Sequence, residues 1–260
     1  MSALIAALPM YDWPERRDEV NAEWAAIRDR LLSEGIDAPE GLTRDFDDLH
    51  ELWRRPNLLF AQTCWGPMEL GLAGHVQVIG QPSYDGIEGG EGPYYSSAIV
   101  MRRDLPPPLT PPLKGEGDSA MSAPPSPLRG GVRGGGIPEP GMAHLPLDLL
   151  RGQRLAYNGP DSMSGIIGLT RDLEAIGENL ALFSERIVSG GHRLSVRAVA
   201  EGRADVAAID CLSWALAQRY ESAAKDLRIV GWTAKRKGLP FITAKTTPAP
   251  VLAALRAAVT

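Results

Sequence analysis

Short apolar runs alternate with segments of helical period along most of the chain, and no other feature restricts its fold so strongly. Residues 3–8 read as a buried strand. Asp12 and Pro14 then suit a helix start, Val20, Trp24, Ile27 and Leu31 recur at helical spacing, and Gly35 supplies a stop. A second helix is predicted over 45–54, with Phe46, Leu49 and Trp53 on one face. Buried strands are predicted at 58–63 and 76–80, and one rich in aromatic and β-branched residues at 94–101. Further on, strands at 154–157, 186–189, 205–209 and 227–232 alternate with helices at 164–176, 192–201 and 212–220. An Ala/Leu-rich helix over 248–259 ends the pattern. Such alternation predicts an α/β architecture with mostly parallel sheets.

Residues 105–145 interrupt that pattern. Pro and Gly supply about half of 105–141, a composition that cannot bury enough apolar surface to offset the entropy of ordering. Pro111-Pro112-Leu113-Lys114-Gly115 is echoed by Ser126-Pro127-Leu128-Arg129-Gly130, which suggests a repeat element inserted as a disordered surface loop. Two cysteines, Cys64 and Cys211, allow neither a disulfide framework nor a Cys-based zinc site, and they are expected as two separate reduced thiols. No metal or cofactor is expected. With 27 Lys+Arg against 32 Asp+Glu, the formal charge of −5 lacks the basic excess that a general nucleic-acid binder needs. No apolar run is long enough to span a bilayer. The first residues carry no Lys or Arg before a short apolar run, so the sequence as written reads as cytoplasmic, or periplasmic if its start is truncated.

Chemistry concentrates where predicted strands give way to helices. Tyr157-Asn158-Gly159-Pro160-Asp161-Ser162-Met163-Ser164-Gly165 places two hydroxyls and a permissive glycine at a helix start, a seat for a phosphate, phosphonate or carboxylate. The same residues also suit a plain Ser cap. The stretch lacks the spacing and the Lys of a nucleotide-hydrolysing loop. Ser189-Gly190-Gly191-His192 repeats the arrangement, with His192 in a first turn and able to donate to an anion. Asp210 ends a strand at the same expected edge, facing a ligand or capping the next helix. Tyr11 and Tyr94 flank predicted strands and offer phenolic donors to a cleft, with packing as the alternative.

In order, Leu8-Pro9-Met10-Tyr11-Asp12, Gln62-Thr63-Cys64, Tyr94-Tyr95-Ser96-Ser97, Tyr157-Asn158, Ser162-x-Ser164-Gly165, Gly191-His192 and Ala207-Ala208-Ile209-Asp210-Cys211 resemble the phosphate/phosphonate-binding components of ABC transporters. Ala198-Val199-Ala200-x-Gly202-x-Ala204-Asp205 adds to the likeness, which covers nearly the whole chain outside the Pro/Gly-rich segment. The resemblance implies a type 2 periplasmic-binding-protein fold of two α/β lobes joined by two crossing segments. It implies residues 1–93 and 221–260 in the first lobe and 94–220 in the second, with 105–145 inserted in the latter. It carries the anion-binding helix start onto Ser162, Met163 and Ser164, the cleft histidine onto His192 and the cleft tyrosine onto Tyr94. Asp210 takes a ligand-facing strand end, and Tyr11 follows from its place after the first strand. Met163 stands where phosphonate binders commonly carry a hydroxyl, so only its backbone N–H serves.

The function implied is a solute-binding protein for a small oxyanion, partnered by an ABC permease or acting as an intracellular sensor. An enzyme on the same fold, with Cys64, His192 and Asp210 as nucleophile, base and orienter, is the alternative from another class.

Overall fold

The computed structural model describes residues 3–104 and 142–259. In chain order these form β1 (Ile5–Ala7), α1 (Arg17–Ser33), α2 (Leu49–Trp53), β2 (Leu58–Gln62), α3 (Trp65–Glu69) and β3 (Val76–Gly80). Then come β4 (Gly90–Glu91), β5 (Tyr94–Tyr95), β6 (Ser97–Arg102), α4 (Leu147–Leu150) and β7 (Arg154–Tyr157). A π-helical turn, Met163–Ile167, runs into α5 (Gly168–Ala175), followed by β8 (Glu185–Val188), α6 (His192–Ala200), β9 (Val206–Asp210) and α7 (Cys211–Tyr220). β10 (Leu227–Trp232), β11 (Arg236–Lys237), β12 (Phe241–Ala244) and α8 (Ala249–Ala258) complete the chain.

Two sheets form two lobes, in the strand orders β1-β2-β12-β3 and β10-β6-β9-β7-β8. Each strand sends alternate side chains to opposite faces, so each sheet needs cover on both. In the first lobe, Ala6 and Leu8 pack with Trp24 and Leu31 of α1 and Leu255 of α8. Ile5 and Ala7 face the other way, onto Leu52 and Trp53 of α2 and Met68 of α3. In the second, Ala98, Val100, Ala207 and Ile209 join Val196 and Val199 of α6 and Trp214 of α7. Their neighbours Ile99, Met101, Val206 and Ala208 join Leu169 and Leu173 of α5.

The α/β architecture therefore follows from the periodicity and the two lobes from the resemblance, with one change. The sheets are mixed: β1 and β2 are parallel, as are β7, β8 and β9, but β12 runs antiparallel to β2 and β3, and β6 to β9 and β10. β6 and β12 are the strands that enter a lobe straight from a crossing segment. Having no preceding helix to turn the chain round, they run against their neighbours. Between the lobes, β4 and β5 of one crossing and β11 of the other pair in a three-stranded ribbon.

Three boundaries move. Residues 221–237, placed with the first lobe from sequence, include β10, which pairs with β6 in the second sheet. The strand expected at 94–101 breaks at Ser96, its first part belonging to the ribbon and its second to the sheet. The expected insertion and its internal echo lie outside the described residues as far as 141. By His144, inside the expected span of 105–145, the chain already exchanges two backbone hydrogen bonds with Trp232, at 2.8 and 2.9 Å.

Candidate functional site

Parallel strands put their carboxyl ends on one edge, where open α/β sheets hold ligands. β7, β8 and β9 share such an edge; the segments after β7 and β8 carry Ser162 and Ser164, and His192, and β9 itself ends in Asp210. Opposite them stand the segments after β1 and β2, with Tyr11 and Cys64. A cleft of about 330 Å³ lies between the two sets, walled by apolar side chains such as Pro9, Trp13, Leu49 and Trp53. That is the size of a small-molecule site.

Local sequence explains each placement. Ser162 caps the turn, its Oγ accepting from the Gly165 amide at 3.0 Å, which leaves its own hydroxyl proton free. Gly165 is required there, since a Cβ would stand 2.9 Å from Ser162 Oγ and 3.2 Å from the Asn158 amide nitrogen. Gly190 adopts φ +92°, the left-handed region, to turn the chain into α6. Asp210 ends β9 and caps α7, accepting from the Ser213 amide at 2.9 Å.

Asp210 is also the hub of a buried polar chain. The Leu239 amide donates to the Tyr84 hydroxyl at 3.1 Å, which lies 3.3 Å from the Tyr11 hydroxyl, and Tyr11 donates to Asp210 Oδ1 at 3.1 Å. Burial, and then the Asp210 charge, push the Tyr11 phenol well above its ordinary value, so it stays protonated. His192 Nε2 lies 2.8 Å from Ser164 Oγ and 3.1 Å from Asp210 Oδ2. Burial holds the imidazole below its usual pKa, with Asp210 pulling the other way. Its other nitrogen, Nδ1, is buried and has no partner, and the same is true of Asn158 Oδ1.

Of the residues expected from sequence, Tyr11, Ser162, Ser164, His192 and Asp210 line the cleft together. Met163 is buried at the helix start. Its amide donates to Cys64 Sγ at 3.4 Å, and its sulfur lies 3.9 Å from an Arg171 nitrogen. Tyr94 is a correction: it is 45% exposed and lines no part of the cleft, whereas its neighbour Tyr95 is buried. Alternation along β5 decides which of the two turns inward. The Tyr95 phenol lies against Ser164, near Cys64 and Asp210, and burial raises its pKa. Tyr84, Tyr95 and Asn158 were given no site role from sequence; Tyr84 and Asn158 sit outside strands and helices, where periodicity is silent, and the two-residue β5 is too short to tell Tyr95 from Tyr94.

The enzyme arrangement is not assembled as drawn. Among the described residues no hydrogen bond joins Cys64 to His192, and burial pushes the Cys64 thiol up, away from the reactive thiolate. A Ser–His–Asp relay needs hydroxyl and carboxylate on opposite ring nitrogens, and here both lie at Nε2. Among the described residues no cluster of three or more His, Cys, Asp or Glu side chains is placed to hold a metal ion.

The lobes meet around the cleft. Arg193 forks onto Glu15 at 2.8 and 2.9 Å and lies over the Trp13 ring, 4.7 Å from its centroid. His50 Nε2 meets Asp161 Oδ2 at 2.8 Å, and Arg171 pairs with Glu69. Gly66 makes the closest approach: a Cβ there would lie 1.7 Å from the Asp161 carbonyl oxygen.

Residues 68–260, more than half the chain, match the family described as the phosphonate periplasmic substrate-binding proteins of ABC transporters. The chain belongs to that family. Its members are periplasmic, and among the described residues no helix is long and apolar enough to cross a membrane. Solved structures share the phosphonate-binding family's two-lobed fold at low identity. A Xanthomonas citri protein with bound chloride is 18% identical, with a TM-score of 0.63 over 99% of this chain and 83% of that one. PhnD1 from Prochlorococcus marinus, in complex with methylphosphonate, is 13% identical, with a TM-score of 0.63 over 98% and 82%. A binding component of an ABC phosphonate transporter from Pseudomonas aeruginosa is also 13% identical, with a TM-score of 0.62 over 99% and 74%. No curated protein sequence matches.

Proposed function

We propose that this member of the family binds a small oxyanion, namely phosphate, phosphite or an organophosphonate, in the cleft between its lobes. It delivers that ligand to an ABC permease on the periplasmic side, and it binds rather than transforms it. The observation that carries this reading is the convergence of two helix starts, one with Ser162 and Ser164 and one with His192, on one edge beside a cleft of small-molecule size. Ser162 and Ser164 supply hydroxyl donors, the Met163 amide is held by Cys64 Sγ, and Asp210, itself held by Tyr11, keeps His192 in place. The apolar walls favour a ligand with an organic substituent.

Calorimetry with methylphosphonate tests the reading. A hydrogen bond to a charged group contributes about 1.5–3 kcal/mol, so Ser164→Ala should weaken binding roughly tenfold to a hundredfold. Unchanged affinity in that variant would remove Ser164 from the site. No heat and no thermal stabilisation with methylphosphonate, phosphite or phosphate would overturn the ligand class.

A further inference from the structure

The two lobes line the cleft with different chemistry. From the second come Ser162, Ser164, Asp161, His192, Arg193 and Asp210, which carry hydroxyls or ionisable groups. From the first come Pro9, Met10 and Trp13 after β1, Leu49 and Trp53 of α2, and Pro67 of α3. The first lobe's remaining side chains there are already engaged: the Tyr11 hydroxyl donates to Asp210, and Cys64 Sγ accepts from the Met163 amide. Trp53 spends its indole N–H on the Gln62 carbonyl at 3.1 Å, so it offers a ligand only ring carbon.

The cleft is also larger than an oxyanion. The lobes already touch through Arg193 and Glu15 and through His50 and Asp161, so its volume of about 330 Å³ is the room left with them together. At about 30 Å³ for each water-sized unit, that holds roughly ten non-hydrogen atoms. The phosphorus, its three oxygens and the single carbon of methylphosphonate take up about half of them. The charged groups of the wall do not claim the rest. Arg193 is held by Glu15 and Glu221, Asp161 by His50, and Asp210 by Tyr11 and the Ser213 amide. Among the described residues lining the cleft, an ammonium on the ligand's substituent finds no free carboxylate, and a carboxylate there finds no free cation. Either would give up its water without compensation.

We propose that the cleft selects a phosphonate whose substituent is uncharged, apolar and about five or six carbons in size, phenylphosphonate being representative, and that Leu49 and its first-lobe neighbours determine that choice. This rests on the oxyanion reading and narrows it: the second lobe holds the charged head group and the first lobe the hydrocarbon.

Calorimetry on the full chain tests this by two comparisons. Phenylphosphonate is set against methylphosphonate. Propylphosphonate is set against aminoethylphosphonate, which has as many non-hydrogen atoms but ends in an ammonium. Each buried carbon is worth up to about fourfold in affinity, so phenylphosphonate should bind at least about tenfold tighter than methylphosphonate, with a more negative heat-capacity change. Propylphosphonate should likewise exceed the amine by at least about tenfold. Leu49→Asn should weaken phenylphosphonate by about tenfold and methylphosphonate by less than about threefold, because only the larger ligand reaches the apolar wall. Phenylphosphonate bound no tighter than methylphosphonate, or the amine bound as tightly as propylphosphonate, would overturn the proposal while leaving a phosphonate binder standing. An equal loss of both ligands in Leu49→Asn would overturn the role given to Leu49. If none of these compounds, nor phosphite or phosphate, binds, the oxyanion reading fails and takes the proposal with it.

Discussion

At the scale of single residues, Asp210 orders the protons of the groups around it. It receives the Tyr11 hydroxyl and the Ser213 amide on one oxygen and faces His192 with the other. Tyr84, already accepting the Leu239 amide, is left to donate to Tyr11, so the chain of hydroxyls runs one way. His192 has a testable consequence for the ligand-free protein. Burial holds its folded pKa below the ordinary imidazole value of about 6.5, so on acidification the unfolded chain takes up a proton that the folded chain refuses. Its contribution to stability is therefore complete above about pH 6.5 and declines below it. His192→Gln should flatten the fall in Tm between about pH 7 and pH 5 relative to the parent chain. An identical acid slope in both would show that the folded protein carries a charged His192. Much of this cluster was legible in sequence, because a serine pair, a histidine and an aspartate each stood where a predicted strand met a helix. Choosing between Tyr94 and Tyr95 was not. Adjacent residues differ only in which face they take, and that was set by the pairing of Tyr94 with Lys237 and the break at Ser96.

At the scale of elements, the helices and central strands could be read because their apolar residues recur with the period of the face they bury. β12 escaped notice: four residues after a proline give too little alternation, and its place between β2 and β3 depends on partners far away in sequence. α3 is only one residue longer, yet it sets how near the lobes come. Its Gly66 lies beneath the Asp161 carbonyl, one residue before the Ser162 cap, so the first lobe touches the backbone that carries the serines. Gly66→Ala should leave the helices packed on both sheets in place, since the added Cβ meets the Asp161 backbone rather than either sheet, while preventing this approach. Expected are a Tm within a few degrees of the parent, a larger radius of gyration by small-angle scattering with saturating methylphosphonate, and affinity reduced by about tenfold or more. Parent-like scattering and affinity would mean that the loop after β7 yields and that Gly66 does not govern closure. Glu15→Gln is a useful contrast. Its pair with Arg193 is partly exposed, and its loss should change affinity by less than about fivefold.

Taken whole, an acidic molecule that holds an anion must do so without a basic surface. The cation nearest the cleft, Arg193, is matched by Glu15 and Glu221, so attraction comes from hydroxyls and amides released from other duties at the helix starts. The long segment 105–141 rejoins the fold two strands away from β9, the strand that ends in Asp210. It leaves beyond Arg102, at the end of β6 opposite the Ser97–Asp210 pairing, and returns at His144 on the outer side of β10, the edge strand. A replacement need only run the length of β10, roughly 20 Å at about 3.3 Å per residue, which a flexible Gly/Ser linker of about 15 residues covers. Halving a loop changes its closure entropy by only about 0.6 kcal/mol. The shortened protein should therefore melt within a few degrees of the parent and bind methylphosphonate within about twofold, by calorimetry. A tenfold loss of affinity at unchanged Tm would show that the segment reaches the cleft. A large fall in Tm would show that it covers one of the two cores.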